Sequence, residues 1–173
     1  GKWLVLARYN DKLIKLKPFL RDRGIYFEYK KRKSYPTRLY AAVQNYTRWT
    51  HGSLLSISEC KDLFEYFGKE FPKKEERLYD LKEFGYSQTQ RWFEVFETEP
   101  EDSLYIRTML QAGEELSKEA RVKLSTIHAA KGGEAENVLL ILDNTKTIRE
   151  AIEKSPDKED EENRIWYVGV TRT

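Results

Sequence analysis

The side chains best suited to chemistry fall in one stretch, Val122-Lys123-Leu124-Ser125-Thr126-Ile127-His128-Ala129-Ala130-Lys131-Gly132-Gly133-Glu134-Ala135-Glu136-Asn137-Val138. A hydroxyl (Thr126), an imidazole (His128) and an ammonium (Lys131) can each hydrogen-bond an anion, and the imidazole can also stack. Glu134, a carboxylate, can accept from a hydroxyl group. Gly132 and Gly133 let the backbone turn sharply or approach a ligand closely. The plainer readings stand beside these. Glu134 can cap the next element, Lys131 can anchor the turn, and a lone histidine is more often structural. A second group lies in Asp160-Glu161-Glu162-Asn163-Arg164-Ile165-Trp166-Tyr167-Val168-Gly169-Val170-Thr171-Arg172-Thr173, where Arg164 and Arg172 are the cations. A third, Arg8-Tyr9-Asn10, follows the first apolar run.

These groups need elements to position them. Val122, Leu124 and Thr126 alternate with polar residues, which predicts a strand running out at Ile127. Its exit delivers Thr126, His128 and Lys131 to the carboxyl end of a sheet, where α/β proteins bind ligands. Trp3-Leu4-Val5-Leu6-Ala7 is unbroken and apolar, the pattern of a strand covered on both faces of a parallel sheet. Arg8 and Asn10 sit just past it, on the same edge. Asn10-Asp11 starts a helix, and Pro18 is expected to split it into two segments. Gly24 is a plausible stop, and Ile25 to Tyr29 reads as a second strand, completing a right-handed crossover. After Lys30-Lys31-Arg32-Lys33 the spacing turns helical, with Leu39, Ala42, Val43, Tyr46 and Trp49 on one face. Ser56 and Glu59 form a capping box, Trp92, Val95 and Phe96 mark another helix, and Leu104 to Ala112 one more. Trp49, Trp92 and Phe96 are expected in that region's core. Val138 to Leu142 is again strand-like, followed by helices near 146–153 and 158–168. The layout is α/β, then an all-helical insertion over 35–118, then α/β again.

Composition bounds the partners. The chain has 173 residues, with 39% hydrophobic and 35% charged, as in a soluble globular protein. No apolar run reaches the ~20 residues of a membrane helix, so no membrane partner is expected. No secretory signal opens the sequence. Cys60 is the single cysteine, which rules out an intramolecular disulfide and a cysteine-based zinc site, and a cytoplasmic setting is expected. The net charge of +2 conceals an asymmetry. Residues 1–50 carry 13 Lys/Arg against 3 Asp/Glu, and the remainder is acidic. A basic first third suggests a face for a polyanion. Lys30 to Lys33, flanked by Tyr29 and Tyr35, is the basic-aromatic mixture of single-strand binders, and equally an ordinary solvated charge run.

The 122–138 stretch resembles motif V of UvrD/Rep-type superfamily 1 DNA helicases, T-[IL]-H-x-[AS]-K-G-x-E. The 160–173 stretch resembles their motif VI, E-E-x-R-x-x-Y-V-[AG]-[VIL]-T-R-A. Val5-Leu6-Ala7-Arg8-Tyr9-Asn10 is similar to the strand and loop that open their second motor domain. Asn163 stands where the family usually carries a second Arg, Gly133 replaces Leu, Ala135 an aromatic and Thr173 an Ala. The insertion is shorter than the family's accessory domain.

The resemblance implies a second RecA-like motor domain, discontinuous over 1–34 and 119–173 and interrupted by a helical accessory insertion. It implies that Arg172 is an arginine finger and that Glu134 accepts from the nucleotide ribose. Arg164, Gly132 and Gly133 would lie on the nucleotide side. Thr126, His128, Lys131, Arg8 and Asn10 would belong to the DNA grip, Asn10 within a base pocket. The implied substrate is single-stranded DNA or a 3′-tailed duplex. ATP and Mg2+ would be held mainly by an N-terminal RecA-like domain of the same protein, because no G-x-x-x-x-G-K-[ST] loop occurs here. No metal site is expected in this chain. It opens on Gly1 rather than Met, which suggests an excised fragment, and without that loop the chain alone is expected to hydrolyse no ATP. The rival expectation is a non-motor nucleic-acid-binding or protein-docking module that keeps the fold.

Overall fold

The computed structural model describes residues 1–73, 75–130, 134–143 and 146–171. The chain divides into two units, Gly1–Ser34 with Thr108–Thr173, and Tyr35–Arg107.

The first unit is built on a five-stranded sheet. Strands β1 (Trp3–Ala7), β2 (Phe27–Tyr29), β3 (Arg32–Lys33), β4 (Val122–Thr126) and β5 (Asn137–Ile141) lie in the order β3-β2-β4-β1-β5. β1 runs parallel to both β4 and β5, and β2 parallel to β4. Leu4 and Val5 are each 5% exposed and Leu6 and Ala7 fully buried, so the apolar run of β1 is covered on both faces. Alternate residues serve separate cores, because successive side chains of a strand point to opposite faces. Val5 and Ala7 pack with Leu13 and Leu20 of α1 (Asn10–Asp22), Phe27 and Leu124. Leu4 and Leu6 pack with Ile127 and Ala130, joined by Ile165 and Trp166 of α7 (Pro156–Val170).

One local expectation is corrected. Pro18 does not split the first helix: α1 is continuous through it. Pro18 and Ile14, whose carbonyl loses its partner, both lie on the exposed face, where water can satisfy that carbonyl. The sheet is parallel as expected except at its margin, where β3 folds back antiparallel on β2 with Tyr29 opposite Arg32. The two-residue turn between them has Lys30 at φ 51° and Lys31 at φ 61°. This is the type I′ geometry of tight hairpins, which Asn-Gly normally supplies. Two lysines give no turn signal, which is why the hairpin was not visible in the sequence.

Gly24 ends α1 at φ +62°, with its own N–H donating to the Arg21 carbonyl and that of Ile25 to the Leu20 carbonyl. That paired arrangement is the Schellman cap. Another helix of this unit, α6 (Lys146–Lys154), precedes α7.

The second unit contains α2 (Thr37–Thr50), α3 (Ile57–Tyr66), a 3₁₀ turn at Leu81–Phe84 and α4 (Trp92–Val95). A further helix, α5, spans Pro100–Gln111. α2 buries Leu39, Ala42, Val43, Tyr46 and Trp49, and α3 buries Cys60, Leu63 and Phe64. Aromatic rings fill the centre. Tyr46 meets Trp49, Phe67 and Phe96 at 5.3 to 6.3 Å between centroids, and Phe67 stacks on Tyr86 at 4.1 Å. Trp49 and Phe96 are core as expected, while Trp92 is half-buried. The indole N–H of Trp49 donates to Asp80 Oδ1 at 2.8 Å. The segment is not purely helical, because Leu55 and Tyr79 form an isolated antiparallel bridge. Ser56 and Glu59 make the expected capping box.

Candidate functional site

The register of the central strands builds the site. Ala7, Thr126 and Ile141 are level with one another, so the segments beginning at Arg8, Ile127 and Leu142 leave the same edge of the sheet. The Ile127 N–H donates to the Ala7 carbonyl at 3.1 Å, which carries the pairing one residue beyond β4. The chain then turns at once. The Ala130 N–H donates to the Thr126 carbonyl, and the Ala129 N–H to Thr126 Oγ1 at 3.3 Å. The Thr126 hydroxyl therefore caps its own turn and keeps its proton free to donate elsewhere. Ile127 points into the core at 2% exposure and leaves His128 facing solvent.

Arg8 is the hub of this edge. Its Nη1 lies 3.1 Å from Nδ1 of His128. Its Nε and Nη2 donate to the two carboxylate oxygens of Glu162, at 3.3 and 3.1 Å. The pair is largely desolvated, with the side chains 17% and 10% exposed. Asn10 stands beside them, exposed, its Oδ1 accepting from the Tyr29 hydroxyl at 3.0 Å. On the far side, Lys12 and Arg149 pair with Asp143. Hydrogen bonding from Lys12 holds the Asp143 carboxyl below the usual carboxylate range. Arg164 is exposed on α7, with no carboxylate at ion-pair distance among the described residues.

Glu134 is exposed in the segment leading into β5. Lys131, Gly132, Gly133 and Arg172 lie outside the described residues. Of the expected site residues, then, the structure brings together Arg8 and His128, sets Thr126 beneath them through its turn and places Asn10 beyond Arg8.

Two features were not read from the sequence. One is Glu162. It lies on the inner face of α7 with Ile165, Trp166 and Gly169, at helical spacing. An acid in an apolar stripe is the signal that could have found it. The other is a groove of about 790 Å³ between α1 and the β2–β3 hairpin, lined by Lys17, Arg21, Tyr29, Lys30, Arg32 and Lys33 among others and by no acid. Lys17 and Lys30 sit 5.0 and 5.4 Å from the centroid of the Tyr29 ring, within cation–π range. Through Tyr29 the groove adjoins Asn10, so the basic run belongs to the same edge as the motif residues.

A family model described as the UvrD-like helicase C-terminal domain matches residues 5–173. The chain belongs to that family. Searches of curated proteins and of solved structures each found no significant match. The match runs through the helical unit as well as the sheet, so the accessory segment is part of the UvrD-like domain. The mostly parallel sheet with flanking helices is the α/β architecture expected of a RecA-like helicase domain. Membership makes this a helicase motor domain. No described helix of this UvrD-like domain is long and apolar enough to cross a membrane.

Proposed function

We propose that this UvrD-like domain is the second half of an ATP-driven translocase on single-stranded DNA, acting on a strand or a 3′-tailed duplex in the cytoplasm. The observation that supports this reading is the common exit of Arg8–Asn10 and Thr126–His128 from one sheet edge. In the proposal His128 and Asn10 face the strand, the Thr126 hydroxyl donates to a phosphate, and Arg8 and Lys131 supply positive charge. The cationic groove carries the strand onward past Tyr29. Basic side chains interleaved with aromatic rings suit a strand whose bases stack while its phosphates are neutralised.

The nucleotide side is proposed from the family motifs. Arg172 is the arginine finger, which stabilises charge on the transferring phosphoryl group and is worth ~10³-fold or more in rate. Glu134 accepts from the ribose, with Arg164, Gly132 and Gly133 alongside. ATP and Mg2+ are held mainly by an N-terminal RecA-like domain of the same protein, which supplies the phosphate-cradling loop. Among the described residues no group of three or more His, Cys, Asp or Glu is placed to hold a metal ion, and the proposal assigns none to this domain. The chain alone then hydrolyses no ATP.

The test joins this domain to its N-terminal motor domain and measures DNA-stimulated ATP turnover and oligonucleotide affinity. Arg172→Ala should abolish turnover and leave affinity within about twofold, since a finger acts on the transition state rather than on the strand. Unchanged turnover in that variant would refute the finger, and a joined parent without DNA-stimulated turnover would favour a non-motor module.

A further inference from the structure

Three residues distant in sequence meet at the sheet edge: Arg8 after β1, His128 after β4 and Glu162 on α7. Among the described residues no hydrogen bond or ion pair joins Glu162 to His128 directly. Each is held by a different part of one guanidinium, Glu162 by Nε and Nη2 and His128 by Nη1. The planar fork of Arg fixes those directions relative to each other. A change in the position or charge of the Glu162 carboxylate must therefore reorient the nitrogen that faces the imidazole. Glu162 is 8% exposed, and a carboxylate is costly to bury unless it is paired. The neighbouring acid, Glu161, makes its own ion pair with Lys158 at 2.7 Å.

The seating of α7 makes this contact informative. Glu162 shares its face with Ile165 and Trp166, which pack against Leu4, Leu6, Ile127 and Ala130. One turn further on, Gly169 faces the side chains of Leu140 and Ile127 at close range. A Cβ there would lie 2.9 Å from Leu140 Cδ1. The helix is thus pressed close to the sheet at one end and tied to Arg8 at the other. We infer that Glu162 is a positioning residue: through Arg8 it sets the pose of His128 and reports the placement of α7 to the DNA grip. The inference rests on the proposed strand contact of His128.

The experiment uses the 173-residue chain with ¹⁵N-histidine labelling and has two arms. The chain has two histidines. His51, whose Nδ1 lies 2.7 Å from the Thr47 carbonyl in the helical unit, serves as the internal reference. Without DNA, Glu162→Gln should shift the ring-nitrogen resonances of His128 and leave those of His51 in place. Arg8→Lys, which keeps the charge but loses the fork, should do the same. Unmoved His128 resonances in both variants would overturn the relay. The second arm measures binding of a fluorescein-labelled oligothymidylate of about 15 nucleotides. Glu162→Gln should weaken binding about fivefold in the parent and change nothing further in a His128→Ala background, as coupled residues do. The same loss in both backgrounds would overturn the relay. If the parent binds no oligonucleotide, the proposed DNA grip fails, and the resonance arm still decides the relay.

Discussion

The cationic groove yields a quantitative expectation for DNA binding. Lys17, Lys30 and Arg32 line it without a carboxylate partner among the described residues. Arg21 and Lys33 also line it, with Arg21 Nη1 donating to the Ser34 carbonyl and Lys33 Nζ to the Leu116 carbonyl. Each phosphate neutralised on a single strand contributes about −0.7 to the slope of log K against log salt. Three contacts give about −2, or nearly twentyfold weaker binding when salt rises from about 50 to 200 mM. The perturbation is the triple variant Lys17→Gln, Lys30→Gln, Arg32→Gln, and the assay is anisotropy of a labelled oligothymidylate across that salt range. The variant should lose about two units of slope, and its deficit relative to the parent should be greatest at low salt, where the parent gains most. The loss should not depend on base sequence, because phosphate contacts carry no sequence information. An unchanged slope in the triple variant would refute the groove as a strand path. A salt-insensitive parent would refute phosphate contact altogether.

Other predictions concern strain, burial and charge. Lys30 and Lys31 occupy left-handed backbone, which costs a non-glycine residue roughly 1 kcal/mol. Replacing the pair by Asn-Gly should raise stability by about 1 kcal/mol, or roughly 2–4 °C in Tm by calorimetry, while weakening oligonucleotide binding. No gain in Tm would show that the turn is not strained. Cys60 is fully buried and its thiol is pushed up to about 11 by burial, so at pH 8 it should react with Ellman's reagent only after denaturant unfolds the chain. Rapid labelling of the native protein would contradict that packing. Glu83 is lowered to about 2 from an ordinary 4.5, chiefly by hydrogen bonding from Arg77 and then from the Asp80 N–H. A depressed carboxyl contributes stability that is present above the unfolded value and lost as pH falls toward the folded one. Glu83→Gln should therefore flatten the stability profile of the helical unit between about pH 4.5 and 2, read by urea titration at stepped pH. A profile as steep as the parent's would remove Glu83 as the cause.

The sequence disclosed most where one physical rule governed a segment. β1 was legible because a strand covered on both faces cannot carry polar side chains. The inner faces of α2 and α3 were legible from helical spacing, and the cap of α3 from Ser56 and Glu59. Legibility failed where tertiary context overrode local rules. Pro18 is tolerated because its face of α1 is exposed, which local sequence does not reveal. The β2–β3 hairpin closes through two lysines that no turn preference selects. At the candidate site, the strand pattern placed Arg8, Thr126 and His128 at the carboxyl end of the sheet, but their mutual contacts were hidden. Arg8 and Glu162 are separated by 154 positions, and nothing local to either names its partner.

That hidden pairing alters how the edge must work. Ala7, Thr126 and Ile141 belong to adjacent parallel strands, and sliding one past another would break the ladder and both cores together. The residues leaving β1 and β4 are consequently fixed relative to the sheet. α7 is held differently, by side-chain packing and by the Arg8–Glu162 pair, so a small helix shift costs far less than a strand shift, as in shear motions of packed elements. Arg172 follows α7 directly in sequence, and in the proposed motor it is the group that senses the nucleotide. A pull on that end of the helix reaches Glu162 through an α-helix, which is stiff along its axis. From Glu162 it passes to the guanidinium and then to His128. In the proposed motor the strand-facing group that responds is His128, held through Arg8, while Asn10, which accepts from the hydroxyl of Tyr29 in β2, stays with the sheet. A grip with one responsive and one fixed contact can release a phosphate at His128 while keeping its hold at Asn10, which is what stepping along a strand requires.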